Sequence, residues 1–148
     1  MSVSFTIKAK PYSINQAYCR LGRKKKQLRD WEKITSIRLS KHDKVLADFA
    51  AGTTSGIPFD VYKHALEVKI TFLIPPKKLI TKDGRISQTS TDLSNIEKLF
   101  IDLVFKQLPR DMNDAYITDL ASSKRPSKDG FYYIQCSIKL VYLPLDVL

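Results

Sequence analysis

Two short stretches of this sequence hold acidic side chains where they could bind a metal ion. In the first, STDLSNIEKLF (90–100), Asp92 precedes a predicted helix and Lys98 lies one turn inside it. In the second, RDMNDAY (110–116), Asp114 comes just before a predicted strand. A strand starting there runs back beside the helix, so the two carboxylates could approach each other. Spacing alone leaves this open, because an aspartate before a helix also stabilises the positive end of the helix dipole.

The overall charge indicates a polyanionic partner. The 148 residues include 25 Lys and Arg against 15 Asp and Glu, which gives a net charge of +10. Basic side chains displace condensed counterions from phosphates, so nucleic acid is the expected partner. The basic residues are spread along the chain, and no apolar run is long enough to cross a bilayer, so we expect no membrane association. With no secretory signal at the start, Cys19 and Cys136 are predicted to be free thiols of a cytoplasmic protein.

The hydrophobic periodicity predicts one α+β domain over residues 1–148. The predicted order is β-α-β-α-β-β, a mixed β-sheet with helices packed on it. The predicted strands are 3–9, 65–74, 115–125 and 130–143, and the predicted helices are 28–50, with a candidate break near Ser40, and 95–108. A PSKDG turn is expected to join the last two strands as a hairpin. Residues 77–91 are expected to form a long basic loop.

The entrance of the second helix carries a capping signature. Ser94 followed by Glu97 fits the capping box, in which each side chain bonds the backbone amide of the other residue. This places the helix start at Asn95. The polar face of the helix is expected to carry solvated salt bridges at i, i+4 steps among Lys98, Asp102 and Lys106.

The order of these motifs resembles the RusA family of Holliday junction resolvases. The stretch DLSNIEKLFIDLVFKQLPRDMNDAYITDLASSK (92–124) has an aspartate before a helix, a lysine one turn later and an acidic position opening a strand. KPYSINQAY (10–18) resembles the family's Pro-x-Ser-x-Asn-x-x-Tyr segment after its first strand. Between these two blocks, only the order of the predicted strands and helices resembles that of the family. Members of the family are small, basic, dimeric, magnesium-dependent endonucleases that are often carried by phages and prophages.

The resemblance implies a Mg²⁺ site. The metal-binding aspartates of the family correspond to Asp92, Ser94 and Asp114, so this chain departs from the family at Ser94, and Asn113 replaces the first member of the acidic pair. The two remaining carboxylates could suffice, because magnesium commonly keeps several waters and uses one or two carboxylates plus substrate phosphate. Ser94 would bind the ion directly or through water, or would only cap the helix.

The resemblance also implies the reaction and the partners. The essential lysine of the family corresponds to Lys98, which would stabilise charge that develops during phosphodiester hydrolysis. The substrate would be a four-way DNA junction, cut by a homodimer whose two-fold symmetry presents two sites to two strands. The side chains expected to contact the DNA are Lys24, Lys25, Lys77, Lys78, Arg85, Asn95, Lys124 and Arg125.

Three further functions stay open at this point. The chain could be a non-catalytic DNA-binding relative whose metal site was lost with Ser94. It could be a nuclease that acts on flaps or forks, which needs the same metal chemistry. An RNA-binding module is disfavoured, because the sequence has no aromatic signature of the RNP type.

Overall fold

Alternating apolar and polar residues form the four strands of the fold, and helices with apolar faces connect them. The computed structural model describes residues 1–13, 25–88, 92–109 and 111–143. In chain order, the elements are β1 (Ser2–Ile7), α1 (Lys26–Ser40), α2 (Asp43–Ala51), β2 (His64–Ile74), the one-turn helix α3 (Pro76–Leu79), α4 (Leu93–Gln107), a 3-10 helix (Asp114–Tyr116), β3 (Ile117–Pro126) and β4 (Tyr133–Tyr142).

The four strands make one sheet in the order β1-β4-β2-β3. β4 pairs antiparallel with β1 and β2, whereas β3 pairs parallel with β2. A parallel pair needs a crossover connection, and α4 supplies it. Because the chain leaves β2, returns along α4 and then enters β3, the amino end of α4 lies at the carboxyl ends of both strands.

Helices cover one face of the sheet. In β4, Ile134 and Ile138 are fully buried, and the residues between the buried positions lie on the opposite face. Phe100 of α4 contacts Phe72 of β2 edge to face, with 6.4 Å between ring centres. Fully burying one such side chain stabilises a fold by roughly 1.5–3 kcal/mol, so these contacts fix α4 against the sheet.

The expected fold class is confirmed as a single α+β domain with a mixed sheet. In the described parts of the chain, no helix combines the length and the apolar character that crossing a bilayer requires. Cys136 is a free, buried thiol, and burial raises its pKa to about 12. Cys19 lies outside the described residues.

The helix predicted over residues 28–50 is two helices, and the break near Ser40 is confirmed. α1 ends at Ser40 and α2 starts three residues later. The break turns Leu46 of α2 into the core, where it is fully buried. Ile34 and Ile37 follow the same period but are 51% and 57% exposed, so part of the apolar pattern of α1 faces outward.

The predicted hairpin between the last two strands is wrong. β3 and β4 are not neighbours, because β2 lies between them and pairs with both. The reason lies in β2, where Lys69 is the one exposed residue of the strand. A strand with so little exposed surface needs neighbours on both sides, and these are β4 and β3.

Residues 77–91 were predicted to form a long loop, but backbone hydrogen bonds within this stretch hold part of it in a regular structure. It begins within the one-turn helix α3, and Ile80 and Ile86 then form an isolated antiparallel bridge. Inside this bridge, the Thr81 N–H donates to the Arg85 carbonyl at 2.8 Å. The described part of the stretch therefore holds Lys77 and Lys78 on a helical turn and Lys82 and Arg85 on a small hairpin, rather than on an irregular loop.

A glycine closes the carboxyl end of α2. Gly52 has a φ of 69°, in the left-handed region that favours glycine, and its N–H donates to the carbonyls of Asp48 and Phe49. A Cβ on Gly52 would lie 2.3 Å from the backbone carbonyl carbon of Ile57. The turn therefore excludes a side chain for two separate reasons.

We expect Gly52→Ala to lower the free energy of unfolding by about 2 kcal/mol or more, because backbone strain and a clash with backbone atoms add together. Chemical denaturation monitored by circular dichroism measures the change. Gly56→Ala is the matched control, since Gly56 has a φ of 76° but a Cβ there would meet no atom within 4 Å. Its expected loss is about 1 kcal/mol, and equal losses for the two variants would contradict the role of the clash.

Candidate functional site

Asp92 is the N-cap of α4, and its side chain is exposed. The Asp92 carbonyl accepts a hydrogen bond from the Asn95 N–H at 3.0 Å. The predicted N-cap at Ser94 is wrong, because the helix begins two residues earlier than expected, at Leu93, whose side chain packs against the core. Ser94 is instead an exposed residue of the first turn, on the same turn as Asp92.

Glu97, the second residue of the predicted capping box, connects α4 to the sheet. Its carboxylate accepts a hydrogen bond from the Ser122 hydroxyl of β3. Both side chains are half-buried, so the bond forms where water is partly excluded. The contact places the second turn of α4 at the level of the middle of β3.

Four cations of the predicted DNA-binding set lie at the same end of the sheet as Asp92. Lys77 and Lys78 are exposed on α3, which directly follows the carboxyl end of β2. Lys124 and Arg125 are near the carboxyl end of β3, in register with the last residues of β2. The parallel β2–β3 pair therefore brings these cations to the amino end of α4.

Lys124 lies on the face of β3 that α4 covers. It shares this face with Ser122, and it is half-buried. Since α4 and β3 run in opposite directions, Lys124 lies at the level of the first turn of α4, which holds Ser94 and Asn95. Asp92 and Asn95 thus share one end of the molecule with the cations that were predicted to hold DNA.

The remaining predicted cations are placed differently. The guanidinium of Arg85 makes an ion pair with Asp83 at 2.8 Å. Hydrogen bonds from Thr81 and then from Arg85 hold the pKa of the Asp83 carboxyl below its ordinary value. Lys25 is exposed at the N-cap of α1, and Lys24 lies outside the described residues.

Lys98 lies on the polar face of α4 and is 61% exposed. Its Nζ is 3.8 Å from Oδ1 of Asp102, the i, i+4 partner that the sequence predicted. Nζ of Lys106 instead lies 3.9 Å from Oε2 of Glu32 on α1. Lys106 therefore connects two helices and does not extend the predicted row of ion pairs along α4. An exposed pair at this distance stabilises by about 0–1 kcal/mol, which leaves Lys98 able to turn toward a phosphate.

A cleft of about 370 Å³ separates the polar face of α4 from β3. Its walls combine carboxylates, one lysine and several apolar side chains. The residues that line it include Lys98, Ile101, Asp102, Asp114, Ile117 and Leu120. Asp114 opens the 3-10 helix, which Asn113 caps by accepting a hydrogen bond from the Ala115 N–H at 2.9 Å.

Asp92 and Asp114 lie beside different positions along the axis of α4. Asp114 lines the cleft together with Asp102, and the ten residues from Asp92 to Asp102 span about 15 Å along the helix. β3 runs back beside α4 as expected, but the end of β3 that reaches the level of Asp92 is the one that carries Lys124. Within one chain, this geometry separates the two carboxylates that the sequence suggested could meet.

The exposed donors at these positions are oxygen atoms, which suit a hard cation such as Mg²⁺. They are the carboxylates of Asp92 and Asp114 and the hydroxyl of Ser94. Over the ranges of the chain that are described, no group of three or more His, Cys, Asp and Glu side chains is placed to hold a metal ion. The chemistry of the donors thus fits magnesium, with waters and a substrate phosphate needed to fill the coordination sphere.

Two contributors to this region were not found from the sequence. Asp102 was predicted only as a solvated ion-pair partner, although it also faces the cleft that Asp114 lines. Ser122 carried no signal, because its bond to Glu97 joins residues on different elements. The i, i+4 spacing of Lys98 and Asp102 was the one available sign that the acid lies beside the lysine.

Neither the models of known protein families nor the curated protein sequences include a match to this chain. The resemblance to the RusA family therefore stays a prediction from the order of the motifs. A functional proposal has to rest on the residues and their placement.

We expect Glu97→Ala and Ser122→Ala each to lower the free energy of unfolding by about 1 kcal/mol, the net value of one such hydrogen bond. Because both changes remove the same bond, the double variant should lose about 1 kcal/mol less than the sum of the single losses. Urea denaturation of the four proteins measures this coupling. Ser123→Ala is the control, since Ser123 bonds Thr71 on the opposite face of β3. Additive losses for Glu97 and Ser122 would show that the bond does not connect α4 to β3.

Proposed function

We propose that this protein is a magnesium-dependent endonuclease that cuts branched DNA, with the four-way junction as its substrate. The observation that carries the proposal is the placement of exposed Asp92 at the end of the sheet where Lys77, Lys78, Lys124 and Arg125 gather. A carboxylate among cations is suited to a site where a metal ion and a phosphate backbone meet. The motif order of the RusA family supports the same conclusion.

The cations provide the binding part of this function. The net charge of +10 favours a polyanion as the partner. Contacts from lysine and arginine to phosphates hold DNA without reading its base sequence, which suits recognition of a junction by its shape. Asn95, half-buried in the first turn of α4, would add a neutral hydrogen bond to the same backbone.

Asp92 is the residue that would hold Mg²⁺ beside the cations, with Ser94 as a further oxygen donor, whereas Asp114 is not placed to share this ion within one chain. When bound, the ion would neutralise charge on the phosphate that is cut. In the hydrolysis, a water oxygen bonds to phosphorus, one phosphorus–oxygen bond of the backbone breaks, and a proton passes to the departing oxygen. Lys98 would stabilise the negative charge that builds up on the oxygens during this step, because its ammonium is exposed and only weakly held by Asp102.

Resolution of a four-way junction requires two symmetric cuts, so the proposal includes a homodimer. It also places the protein in the cytoplasm, in the host cytoplasm if a phage encodes it. Flaps and forks are alternative substrates for the same chemistry.

A second candidate function is binding of branched DNA without cleavage, and two observations favour it. Ser94 stands where the family has a carboxylate, and Asp92 and Asp114 lie at different levels of α4 within one chain. In this case the cations would act without a metal ion.

We expect Asp92→Asn to lower the rate of Mg²⁺-dependent nicking of a four-way junction by about a hundredfold or more, equivalent to about 2.7 kcal/mol of transition-state stabilisation. Binding of the junction should be retained, because the cations are unchanged. Asp43→Asn is the matched control, since Asp43 is an exposed aspartate in the first turn of α2. Synthetic four-way, forked and linear DNA, with magnesium or with a chelator, are the substrates.

The same assay separates the two functions. Ser94→Asp should lower the magnesium concentration needed for half-maximal nicking, because it adds a carboxylate near the ion. Equal nicking by the native protein and Asp92→Asn would remove Asp92 from the mechanism. Binding of the junction with no nicking by the native protein or by Ser94→Asp would establish the non-catalytic function.

Replacement of Lys77 and Lys78 by Ala should weaken DNA binding to a similar degree on all sequences. The slope of log K against log salt should become shallower by about 0.9 for each duplex phosphate that the variant no longer neutralises. Fluorescence anisotropy at several salt concentrations measures the slope. Lys44→Ala serves as the control, because Lys44 is held by Asp48 at 2.7 Å on α2. An unchanged slope in the double variant would exclude α3 from the DNA-binding surface.

A further inference from the structure

The short hairpin that follows α3 holds two apolar side chains in solvent. Ile86 is 61% exposed, and Ile80, its partner in the antiparallel bridge, is 36% exposed. Residues directly opposite each other on antiparallel strands point to the same side, so the two isoleucines form one apolar facet. A single exposed apolar side chain is ordinary on a protein surface. This pair is distinguished by the rigid backbone that carries it and by the charge around it.

Hydrogen bonds hold the backbone of the hairpin at several points. The Thr81 N–H donates to the Arg85 carbonyl at 2.8 Å, and the Arg85 N–H donates to the Thr81 hydroxyl at 3.1 Å. The Ser87 N–H donates to the Leu79 carbonyl at 2.7 Å, and the side chain of Leu79 is buried in the core. Ile86 therefore projects from a backbone that is fixed before any ligand binds, which lowers the entropy cost of contacting one.

The surroundings of this apolar facet are basic. Residues 77–88 contain four cations and one acid, Asp83, which gives this stretch a net charge of +3. Asp83 is paired with Arg85 at 2.8 Å, so the three lysines of the stretch set the sign of the surface. An apolar facet within a cationic surface suits a ligand that is anionic outside and apolar inside. Nucleic acid has this layering, with phosphates outside and the faces of the bases inside.

An anionic lipid surface has a similar layering, with charged headgroups over an apolar interior. Interfacial anchors, however, bury the whole apolar face of a helix or a covalently attached lipid chain. The facet of the hairpin consists of two side chains, Ile80 and Ile86. Its size suits the gap between two bases and is small for a bilayer.

The hairpin lies at the end of the molecule where the other cations gather. α3 directly follows the carboxyl end of β2, and the hairpin follows α3. Lys124 and Arg125 are in register with the last residues of β2. Asp92 follows Ile86 by six residues, so their Cα atoms lie within about 22 Å of each other. DNA held by these cations would therefore pass within reach of the facet.

We propose that Ile86, supported by Ile80, distinguishes branched from linear DNA by inserting between bases at the branch point. The inference rests on the DNA-binding part of the proposed function and does not require cleavage. In a linear duplex, an inserted apolar side chain must break base stacking, whereas at a branch point the stacking is already interrupted. Ile86 therefore adds affinity for a junction and not for a duplex. Phosphate contacts from the lysines cannot supply this preference, because both DNAs carry the same backbone.

The preference is the ratio of the dissociation constants for linear duplex and for a four-way junction, measured by fluorescence anisotropy with a chelator present. Ile86→Ser should lower this ratio about tenfold, because the junction loses one buried apolar side chain while binding of the linear duplex is unchanged. Ile86→Met keeps an apolar side chain and should retain the preference. Ile37→Ser is the matched control, since Ile37 of α1 is 57% exposed. Urea denaturation should show equal stability for native protein and Ile86→Ser, because Ile86 contributes little to the core.

A fluorescent base at the branch point reports the insertion itself. 2-Aminopurine becomes brighter when it unstacks, so native protein, Ile86→Met and Ile37→Ser should each raise its fluorescence in the junction. Ile86→Ser should bind the junction at higher concentration without this rise. The same base in the middle of a linear duplex should stay dim with all four proteins.

An unchanged preference or an undiminished fluorescence rise in Ile86→Ser would overturn the insertion and leave DNA binding by the cations standing. Equal weakening of binding to linear and branched DNA would also overturn it, since Ile86 would then be a general contact. So would binding to vesicles of anionic phospholipid that Ile86→Ser abolishes while the DNA preference stays unchanged. Absence of nicking by a native protein that binds the junction would refute the proposed nuclease alone, because these measurements are of binding. A native protein that binds neither DNA would refute both.

Discussion

The packing of α4 across the parallel pair β2–β3 is the constraint on which the rest of the structure depends. A chain that makes two adjacent parallel strands has to return between them, and here it returns as a helix. Phe100 against Phe72 holds the helix on the sheet, and the Glu97–Ser122 bond sets its level along β3. The amino end of α4 must then meet the carboxyl ends of both strands, which is where the lysines of α3 and β3 also lie.

This arrangement divides the functional residues between two regions. Asp92, Ser94 and Asn95 lie with the cations at one end of the crossover. Asp114 and Asp102 lie with Lys98 around the cleft. An acid next to several cations lowers the positive potential at one place on an otherwise basic surface.

Much of the fold was predictable because its signals are local. The alternation over β1 and β2 and the helical period around Leu46 and Phe100 identify the elements, and even the break at Ser40 was visible. The pairing of the strands was not, because Asp129-Gly130 indicates a turn without showing that β2 enters between β3 and β4. For the site, Asp92 and Lys98 stood out by spacing within one helix. The level of Asp114 depends on how β3 packs against α4, and no local pattern carries that information.

The pairing of β1 with β4 has a consequence for how the protein is made. β1 comprises residues 2–7, and its partner comprises residues 133–142. A ribosome delivers β1 first, so the first strand has no partner in the sheet until nearly all of the chain has emerged. The β1–β4 pairing therefore joins segments that are far apart in sequence, and contacts of this kind slow folding. Until then the apolar side of β1 is available to chaperones and to other nascent chains.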